Sequence, residues 1–172
     1  MDCATRLAWH PGAPGRGPNQ LPLTLLCADQ CDTRAIGSEP ERGPEPLGPA
    51  LLLRHFSPLL DRQRAVLAML SAKVGSIGDN RLGGWYSYRA SKAALNMLLA
   101  TAAIELRRSQ PHTVVVALHP GTVSTGLSAP FRGGEIGRPA DLATAQMLAT
   151  LDGLTPADSG AFVAYDGQRL PW

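Results

Sequence analysis

Residues 86–96 read YSYRASKAALN, and the interpretation of the whole chain starts from this stretch. It opens a run rich in alanine and leucine that predicts a long helix from about residue 85 to residue 108. Side chains four residues apart lie on one face of a helix, so Tyr88 can present its hydroxyl beside the ammonium group of Lys92. The predicted helix therefore carries a tyrosine and a lysine as a pair.

The pairing of a phenol with an ammonium group has a chemical use. A phenol ordinarily titrates near ~10 and exchanges protons poorly at neutral pH. A cation ~4 Å away, in an effective dielectric of ~20, stabilises the phenolate by ~4 kcal/mol, which corresponds to a pKa about 3 units lower. Burial disfavours both charged forms, so this value is an upper one. The pair predicts that Tyr88 can donate or accept a proton near pH 7.

The composition indicates one domain with no polyanionic partner. The chain has 172 residues, of which 44% are hydrophobic and 17% charged, with a net charge of +2. A chain of this length can bury ~70% of its unfolded surface. The small net charge gives no basic field for nucleic acid, and no apolar run approaches the ~18 residues of a membrane span. Since the chain does not start with a basic and apolar leader, we expect a cytoplasmic protein with no nucleic-acid or membrane partner.

The cysteines do not indicate a disulfide framework or a metal site. Cys3, Cys27 and Cys31 are odd in number and lie in the first third of the chain. A Cys-x-x-x-Cys spacing without a second matching pair is a poor zinc signature, even with His10 nearby. We therefore expect free thiols and no metal.

Residues 1–46 are predicted to be a Pro/Gly-rich irregular or disordered segment. Residues 1–49 carry 8 of the 15 prolines and 6 of the 18 glycines. Within them, residues 21–27 (LPLTLLC) predict a short strand, which Pro22 confines to a sheet edge or a strand start. The glycines at 12, 15 and 17 suggest a phosphate-binding loop, but the neighbouring prolines exclude the strand and helix that such a loop requires.

Helical and strand patterns alternate from residue 47 onward. The apolar run at 65–70 predicts a central strand buried on both faces. The β-branched run at 113–118, bounded by prolines, predicts a second strand. Such alternation predicts an α/β fold with right-handed crossovers, namely a Rossmann-like, doubly wound and mostly parallel sheet. The predicted elements are a buried helix of about three turns within residues 47–60, strand 65–70, helix 85–108, strand 113–118, helix 139–151, and a last short strand and turn within residues 159–167.

The predicted helix 85–108 and the loop before it are the places where partners and ligands are expected. The helix is apolar nearly all round, which predicts packing against its own sheet and against a second subunit of a homo-oligomer. The loop at 71–85 is rich in glycine and follows the carboxyl end of a strand, where open α/β sheets bind ligands. It contains two serines, Ser71 and Ser76.

Two spaced motifs give the chain a family resemblance. They are Tyr88-Arg-Ala-Ser-Lys92 and Pro120-Gly-Thr-Val-Ser-Thr125, and the ending at 154–172 matches as well. Residues 47–172 resemble the C-terminal, catalytic half of a short-chain dehydrogenase/reductase, closest to the branch of C-factor-type and sniffer-type carbonyl reductases. The motifs match that family's Tyr-x-x-x-Lys and Pro-Gly-x-Val-x-Thr.

The resemblance implies hydride transfer between NAD or NADP and a small carbonyl or alcohol substrate. Tyr88 would exchange a proton with the substrate oxygen, and Lys92 would lower the pKa of Tyr88 and hydrogen-bond the nicotinamide ribose. A serine would steady the substrate oxygen. The implied cofactor-binding residues are Tyr88, Lys92, Pro120, Gly121, Val123 and Thr125.

The serine position departs from the family pattern. The family has Ser-x-x-Gly after this strand, and the residue three before Gly75 is Ala72. Ser71 precedes Ala72 directly, and Ser76 lies twelve residues before Tyr88. Either hydroxyl can substitute, and Ser71 is favoured because it lies at the end of the predicted strand.

The N-terminal part departs further. The family opens with a strand and a Thr-Gly-x-x-x-Gly-x-Gly turn that places the pyrophosphate at a helix N-terminus, and no such motif is present in residues 1–46. The resemblance therefore implies a partial Rossmann-like sheet whose N-terminal dinucleotide-binding half is truncated or replaced. Without that turn the cofactor lacks an anchor, so we expect weak or no turnover by this chain alone.

Three hypotheses remain open from the sequence. The chain is an oxidoreductase whose dinucleotide site is completed by another chain or by an unrecognised element. Alternatively, it is a truncated, non-catalytic relative that acts as an interaction or cell-signalling protein of the C-factor type. In the third, it is a defective gene product whose N-terminal segment comes from a foreign frame or start. The resemblance favours NAD(P)-dependent oxidoreductase chemistry and does not distinguish NAD from NADP.

Overall fold

The computed structural model describes residues 7–9, 23–26, 47–125 and 133–172. The glycines at 12, 15 and 17, the three cysteines and His10 lie outside these ranges. No helix in the described part of the chain combines the length and the apolar character that crossing a membrane requires.

A six-stranded sheet forms the centre of the described residues. The strands from β2 to β5 are mutually parallel, and β1 and β6 pair antiparallel at the two edges. Because β3 and β4 pair along their length, their carboxyl ends meet at the same edge of the sheet. In spatial order, which is also chain order, the strands are β1 (Leu7–Trp9), β2 (Leu23–Leu26), β3 (Ala65–Leu70), β4 (Thr113–His119), β5 (Phe162–Ala164) and β6 (Arg169–Leu170).

Helices connect the parallel strands. The longest, α2, has 24 residues, and its alanine and leucine content favours the helix. Arg107 and Arg108 stand in its last turn, where cations stabilise the negative end of the helix dipole. The helices of the described residues are α1 (Leu47–Phe56), α2 (Tyr86–Ser109), α3 (Gly133–Ile136) and α4 (Ala140–Asp152).

The core has two layers because alternate strand residues face opposite sides of the sheet. On one side, α1 and α2 cover Leu67 and Met69 of β3 with their neighbours on β4 and β5. On the other side, α4 covers Val66 and Ala68 through Met147 and Leu151. Helices on both faces of a mostly parallel sheet make the fold doubly wound.

The predicted α/β fold with a mostly parallel, Rossmann-like sheet is confirmed. All six elements predicted from residue 47 onward are present, and β3 is central. The first helix has 10 residues, which is about the three turns predicted. It ends at Phe56, because a proline at 58 disfavours helical backbone before it. The short strand predicted within residues 159–167 is β5, and Gly160 and Gly167 adopt φ of +90° and +86° on either side of it.

The N-terminal strand prediction needs one refinement. The strand expected at 21–27 is β2, and it begins directly after Pro22, as a strand start. It is not a sheet edge, because β1, which was not predicted, pairs with it. The division of the chain into segments 1–46 and 47–172 stays a prediction.

Candidate active site

The carboxyl ends of β3 and β4 lie side by side and carry the predicted site residues. The Ser71 N–H donates to the Leu118 carbonyl at 2.8 Å, so pairing continues one residue beyond β3. Farther on, the Lys73 N–H donates to His119 Nδ1 at 3.3 Å. These bonds join the loop after β3 to the turn after β4, so the two predicted site segments are neighbours.

Helix α2 places Tyr88 and Lys92 one turn apart at this edge. Lys92 is 8% exposed, and its Nζ donates to the Leu70 carbonyl at 3.3 Å. The same Nζ lies 5.9 Å from the centroid of the Tyr88 ring. A buried ammonium group requires acceptors, and the end of β3 supplies one. The two side chains are close together, while their catalytic and cofactor roles stay predictions.

Gly75 allows α2 to approach the loop that follows β3. A Cβ at Gly75 would lie 2.6 Å from the Cβ of Lys92 and 2.8 Å from its backbone carbonyl carbon. Carbon atoms pack at ~3.5–4.0 Å, so no other residue fits without moving the helix. The glycine therefore determines how close Lys92 comes to the end of β3.

Ser71 is buried and bonded to a residue of α2. Its Oγ donates to Asn96 Oδ1 at 2.6 Å, and the Asn96 amide donates in turn to the Gly75 carbonyl at 3.3 Å. The Ser71 proton is thus directed at Asn96, which ties the loop after β3 to the helix. Sequence reasoning did not assign a role to Asn96, although its position four residues after Lys92 places it on the same face of α2.

Ser76 is bonded to the end of the chain. It is 1% exposed, its Oγ donates to the Pro171 carbonyl at 2.6 Å, and the Asp79 N–H donates to that Oγ at 3.0 Å. The hydroxyl of Ser76 therefore holds the loop against residues 171–172. Which serine, if either, contacts substrate stays a prediction.

The turn after β4 is held by Arg138. Gly121 adopts φ +69°, and a Cβ there would lie 2.7 Å from Nη2 of Arg138. The guanidinium carbon lies 3.3 Å from the centroid of the Tyr165 ring, and the group donates to the Pro120 carbonyl and to Gln146. This arrangement requires glycine at 121, both for its backbone conformation and for the space.

Backbone hydrogen bonds fix the rest of that turn. Val123 pairs with Arg138 as an isolated parallel bridge. The Ser124 N–H donates to the Arg138 carbonyl at 2.9 Å, and the Arg138 N–H donates to the Thr122 carbonyl at 3.0 Å. Thr125 lies on the surface at the end of this turn. Arg138 was missed from the sequence because its contacts join segments that are distant in the chain, which leaves no spacing signal.

His119 is half-buried at the end of β4 and is neutral at neutral pH. Burial, followed by the cations Lys73 and Arg138, lowers the pKa of His119 from 6.5 to about 4, with Asp166 acting weakly in the opposite direction. Its neutral Nδ1 can therefore accept the Lys73 N–H at neutral pH. His119 therefore joins the loop after β3 to the turn after β4.

The lowered pKa of His119 predicts a pH-dependent stability. Below pH 6.5 this histidine binds a proton in the unfolded chain, whereas in the folded chain it binds one only near or below pH 4. Stability is therefore full above pH 6.5 and falls by about 3 kcal/mol as the pH drops to 4. Urea unfolding at pH 7, 5.5 and 4 should show this loss relative to His119→Asn, whose amide oxygen accepts the same N–H without titrating. An equal pH dependence in both proteins would contradict the assignment.

The donor set at this edge fits the nicotinamide end of a dinucleotide. A buried ammonium group, a phenol and a glycine turn are the groups that can bond a ribose and a carboxamide, and they lie on the two adjacent strand ends. Of residues 1–46, which lack the family's pyrophosphate-binding motif, residues 1–6, 10–22 and 27–46 lie outside the described ranges. Within the described ranges, no three His, Cys, Asp or Glu side chains cluster in a way that could hold a metal ion.

Several known proteins are similar to the chain in sequence, among them the following two. The 1-hydroxy-2-glutathionyl-2-methyl-3-butene dehydrogenase of Rhodococcus sp. (strain AD45) is 40% identical over 126 residues, which are 73% of this chain and 54% of that enzyme. The C-signal protein of Myxococcus xanthus is 39% identical over 128 residues, which are 73% of each protein. No family model matches the chain.

Solved structures give the same relationship. The carbonyl reductase Sniffer of D. melanogaster has a TM-score of 0.63 at 31% identity and matches 73% of this chain and 53% of its own. An NADPH-bound carbonyl reductase from chicken fatty liver has a TM-score of 0.69 at 30% identity, and the match covers 86% of this chain and 65% of the reductase. The chain spans about half the length of the dehydrogenase and of Sniffer. It belongs to the short-chain dehydrogenase/reductase family, in the branch of C-factor-type and sniffer-type carbonyl reductases.

Proposed function

We propose that this chain is an NAD- or NADP-dependent oxidoreductase that transfers hydride between a nicotinamide and a carbonyl or alcohol. The observation that carries the proposal is the placement of Tyr88 and buried Lys92 together at the carboxyl end of β3. The NADPH bound to the chicken carbonyl reductase and the dehydrogenase name of the Rhodococcus relative support it. Because the chain spans only 54% of that relative, the dehydrogenase activity of the relative is only proposed for this chain.

The chemistry assigned to this chain is proton transfer and orientation. The nicotinamide, when bound, supplies or accepts the hydride. Tyr88 donates its phenolic proton to the carbonyl oxygen during reduction and accepts the hydroxyl proton in the reverse reaction. Lys92 stabilises the phenolate through its positive charge and hydrogen-bonds the ribose. The Leu70 carbonyl keeps that ammonium group at the strand end.

The turn after β4 is assigned to the nicotinamide end of the cofactor. The backbone of Pro120, Gly121 and Val123 and the hydroxyl of Thr125 would contact it. Arg138 supports this assignment, since it holds the turn in one conformation through its side chain and its backbone. A turn ordered before binding costs less entropy when the ligand arrives.

The absence of a serine at position 72 predicts a gain of activity. The hydroxyl protons of Ser71 and Ser76 are directed at Asn96 and Pro171, so a hydroxyl at 72 would add a donor for the developing oxyanion. Such a donor is worth about 100-fold or more in rate where it is native, and we expect Ala72→Ser to raise kcat by about tenfold. Steady-state kinetics with Ala72→Val, a bulkier control that lacks a hydroxyl, would measure it. An unchanged kcat in Ala72→Ser would contradict the claim that the site lacks a donor to the oxyanion.

We also propose that α2 forms a homo-oligomer interface. Met97 and Ile104 lie seven residues apart, on one face of the helix, and are 68% and 59% exposed in the single chain. The protein should sediment as a dimer or larger at micromolar concentration, and Ile104→Glu should dissociate it. A parent chain that sediments as a monomer would contradict this interface.

A second function is favoured by one observation. The chain covers 73% of the C-signal protein at 39% identity, which supports an interaction or signalling role that needs no turnover. The two functions differ in their dependence on Tyr88. A signalling role would survive Tyr88→Phe, whereas hydride transfer would not.

The test of the oxidoreductase proposal is NADPH or NADH consumption by the purified chain with a panel of carbonyls. Aromatic and aliphatic ketones suit the panel, because Ile77, Leu82 and Trp85 expose apolar surface on the loop beside the site. Carbonyl-dependent consumption that disappears with Tyr88→Phe is the expected result. Equal consumption with and without carbonyl, by folded protein at high cofactor concentration, would refute the proposal.

A further inference from the structure

The segment just before α2 has an unusual backbone. Gly83, Gly84 and Trp85 are consecutive residues with φ of +64°, +71° and +50°. Glycine adopts this left-handed conformation freely, but a residue with a Cβ does so at a cost. Trp85 is the one non-glycine residue with positive φ in the described ranges. Residues that keep a disfavoured backbone conformation are held there by their surroundings.

The guanidinium group of Arg89 makes most of the bonds that hold this segment, beside one from the Gly83 N–H to Asn80 Oδ1 at 3.1 Å. Its Nε donates to the Gly84 carbonyl at 2.9 Å and its Nη2 to the Gly83 carbonyl at 3.0 Å. The backbone N–H of Arg89 donates to the Trp85 carbonyl at 2.8 Å. The guanidinium carbon also lies 5.9 Å from the centroid of the Trp85 ring. All three left-handed residues are therefore in contact with Arg89.

The same side chain reaches the other end of the loop. Nη1 of Arg89 donates to the Val74 carbonyl at 3.0 Å. Val74 directly precedes Gly75, where α2 packs tightly through Lys92. One planar, permanently charged group thus joins the turn beneath Lys92 to the turn that starts the helix carrying Tyr88. A lysine carries its donors on a single nitrogen and lacks the planar fork from which Nε, Nη1 and Nη2 make these three bonds.

We propose that Arg89 is a positioning residue that fixes the first turn of α2 and thereby the place of the Tyr88 hydroxyl. The proposal rests on the proposed function, since it gives Tyr88 a position that matters for proton transfer. In this role Arg89 does not contact the substrate or the reacting atoms, and it acts only through the position of Tyr88. By holding residues 83–85 in their left-handed conformation, Arg89 keeps the Tyr88 phenol near the carboxyl end of β3.

The experiment compares Arg89→Ala and Arg89→Lys with the full parent chain, and uses Arg108→Ala, an exposed arginine at the other end of α2, as the control. Displacing a reacting group by ~1 Å can cost about 100-fold in rate, so we expect kcat to fall by about 10- to 100-fold in Arg89→Ala with little change in KM for the carbonyl. Free guanidinium, well below denaturing concentration, should restore part of kcat in Arg89→Ala, and Arg89→Lys should stay low.

Hydrogen exchange provides a readout that does not depend on turnover. The amides of residues 83–89 should exchange faster in Arg89→Ala than in the parent and the control. Unchanged exchange there, or a kcat equal to that of the parent, would overturn the positioning role. If the parent chain itself shows no turnover, the proposed function fails, and the exchange of residues 83–89 alone then decides whether Arg89 holds the turn.

Discussion

Tyr88→Phe is expected to reduce carbonyl-dependent NADPH oxidation by about 100- to 10,000-fold, the range that a positioned general acid contributes. The substitution removes only the hydroxyl that would give its proton to the substrate oxygen. The ring stays, and with it the contact with the Lys92 ammonium group 5.9 Å from its centroid. Thermal stability should therefore change little. Cofactor affinity should lose at most the one bond that the hydroxyl is assigned, so the largest loss should be in kcat.

The control for this prediction lies two residues away. Tyr86 starts α2 and is 75% exposed, so Tyr86→Phe also removes a phenolic hydroxyl from the same turn but leaves the proposed acid in place. Steady-state kinetics should give parental kcat for Tyr86→Phe. Parental kcat in Tyr88→Phe would remove the tyrosine from the mechanism, and equal losses in both variants would indicate a general disturbance of the helix start.

Gly75→Ala is expected to destabilise the fold and to displace Lys92. The added methyl would lie 2.6 Å from the Cβ of Lys92, 2.8 Å from its carbonyl carbon and 3.1 Å from the backbone nitrogen of Ala93. Two of these three atoms are helix backbone, so α2 itself has to move. Forcing an extra carbon into a packed site costs about 1–3 kcal/mol, and in a protein of this size each kcal/mol lowers Tm by about 2–4 °C.

The consequences of Gly75→Ala should appear in both stability and rate. The Asn96 amide bonds the Gly75 carbonyl, and Lys92 bonds the Leu70 carbonyl, so a shifted helix weakens both contacts at the strand end. Gly48→Ala is the matched control, because no atom lies within 4 Å of the added carbon. Calorimetry should show a lower Tm only for Gly75→Ala. Unchanged Tm and kcat would mean that the close approach of α2 to the loop is not a constraint.

The sequence was sufficient for those features that depend on local patterns. The apolar run at 65–70 and the β-branched run at 113–118 predicted β3 and β4, because strands of a doubly wound sheet are buried on both faces. The pairing of Tyr88 with Lys92 followed from helical spacing alone. Gly121, which the family motif singled out, lies in a left-handed turn that glycine suits.

The features that escaped prediction depend on contacts between distant segments. Arg138 reaches Pro120 across 18 residues, and Ser76 reaches Pro171 across 95. No periodicity records such contacts. Arg89 was overlooked for another reason, since it lies inside the quoted motif YRASK, where the tyrosine and lysine account for the recognisable chemistry. The strand β1 was missed because three residues are too few to show alternation.

The measurement that tests the central claim most directly is a calorimetric titration of the purified 172-residue chain with NADPH and, separately, with NADH. We predict saturable binding of at least one of them, weakened about tenfold or more by Lys92→Met, since that variant removes the buried ammonium group assigned to the ribose. Retained circular dichroism and Tm would show that the variant is folded. A folded parent chain that binds neither dinucleotide, or binds one with an affinity that Lys92→Met leaves unchanged, would contradict a nicotinamide site at the carboxyl ends of β3 and β4.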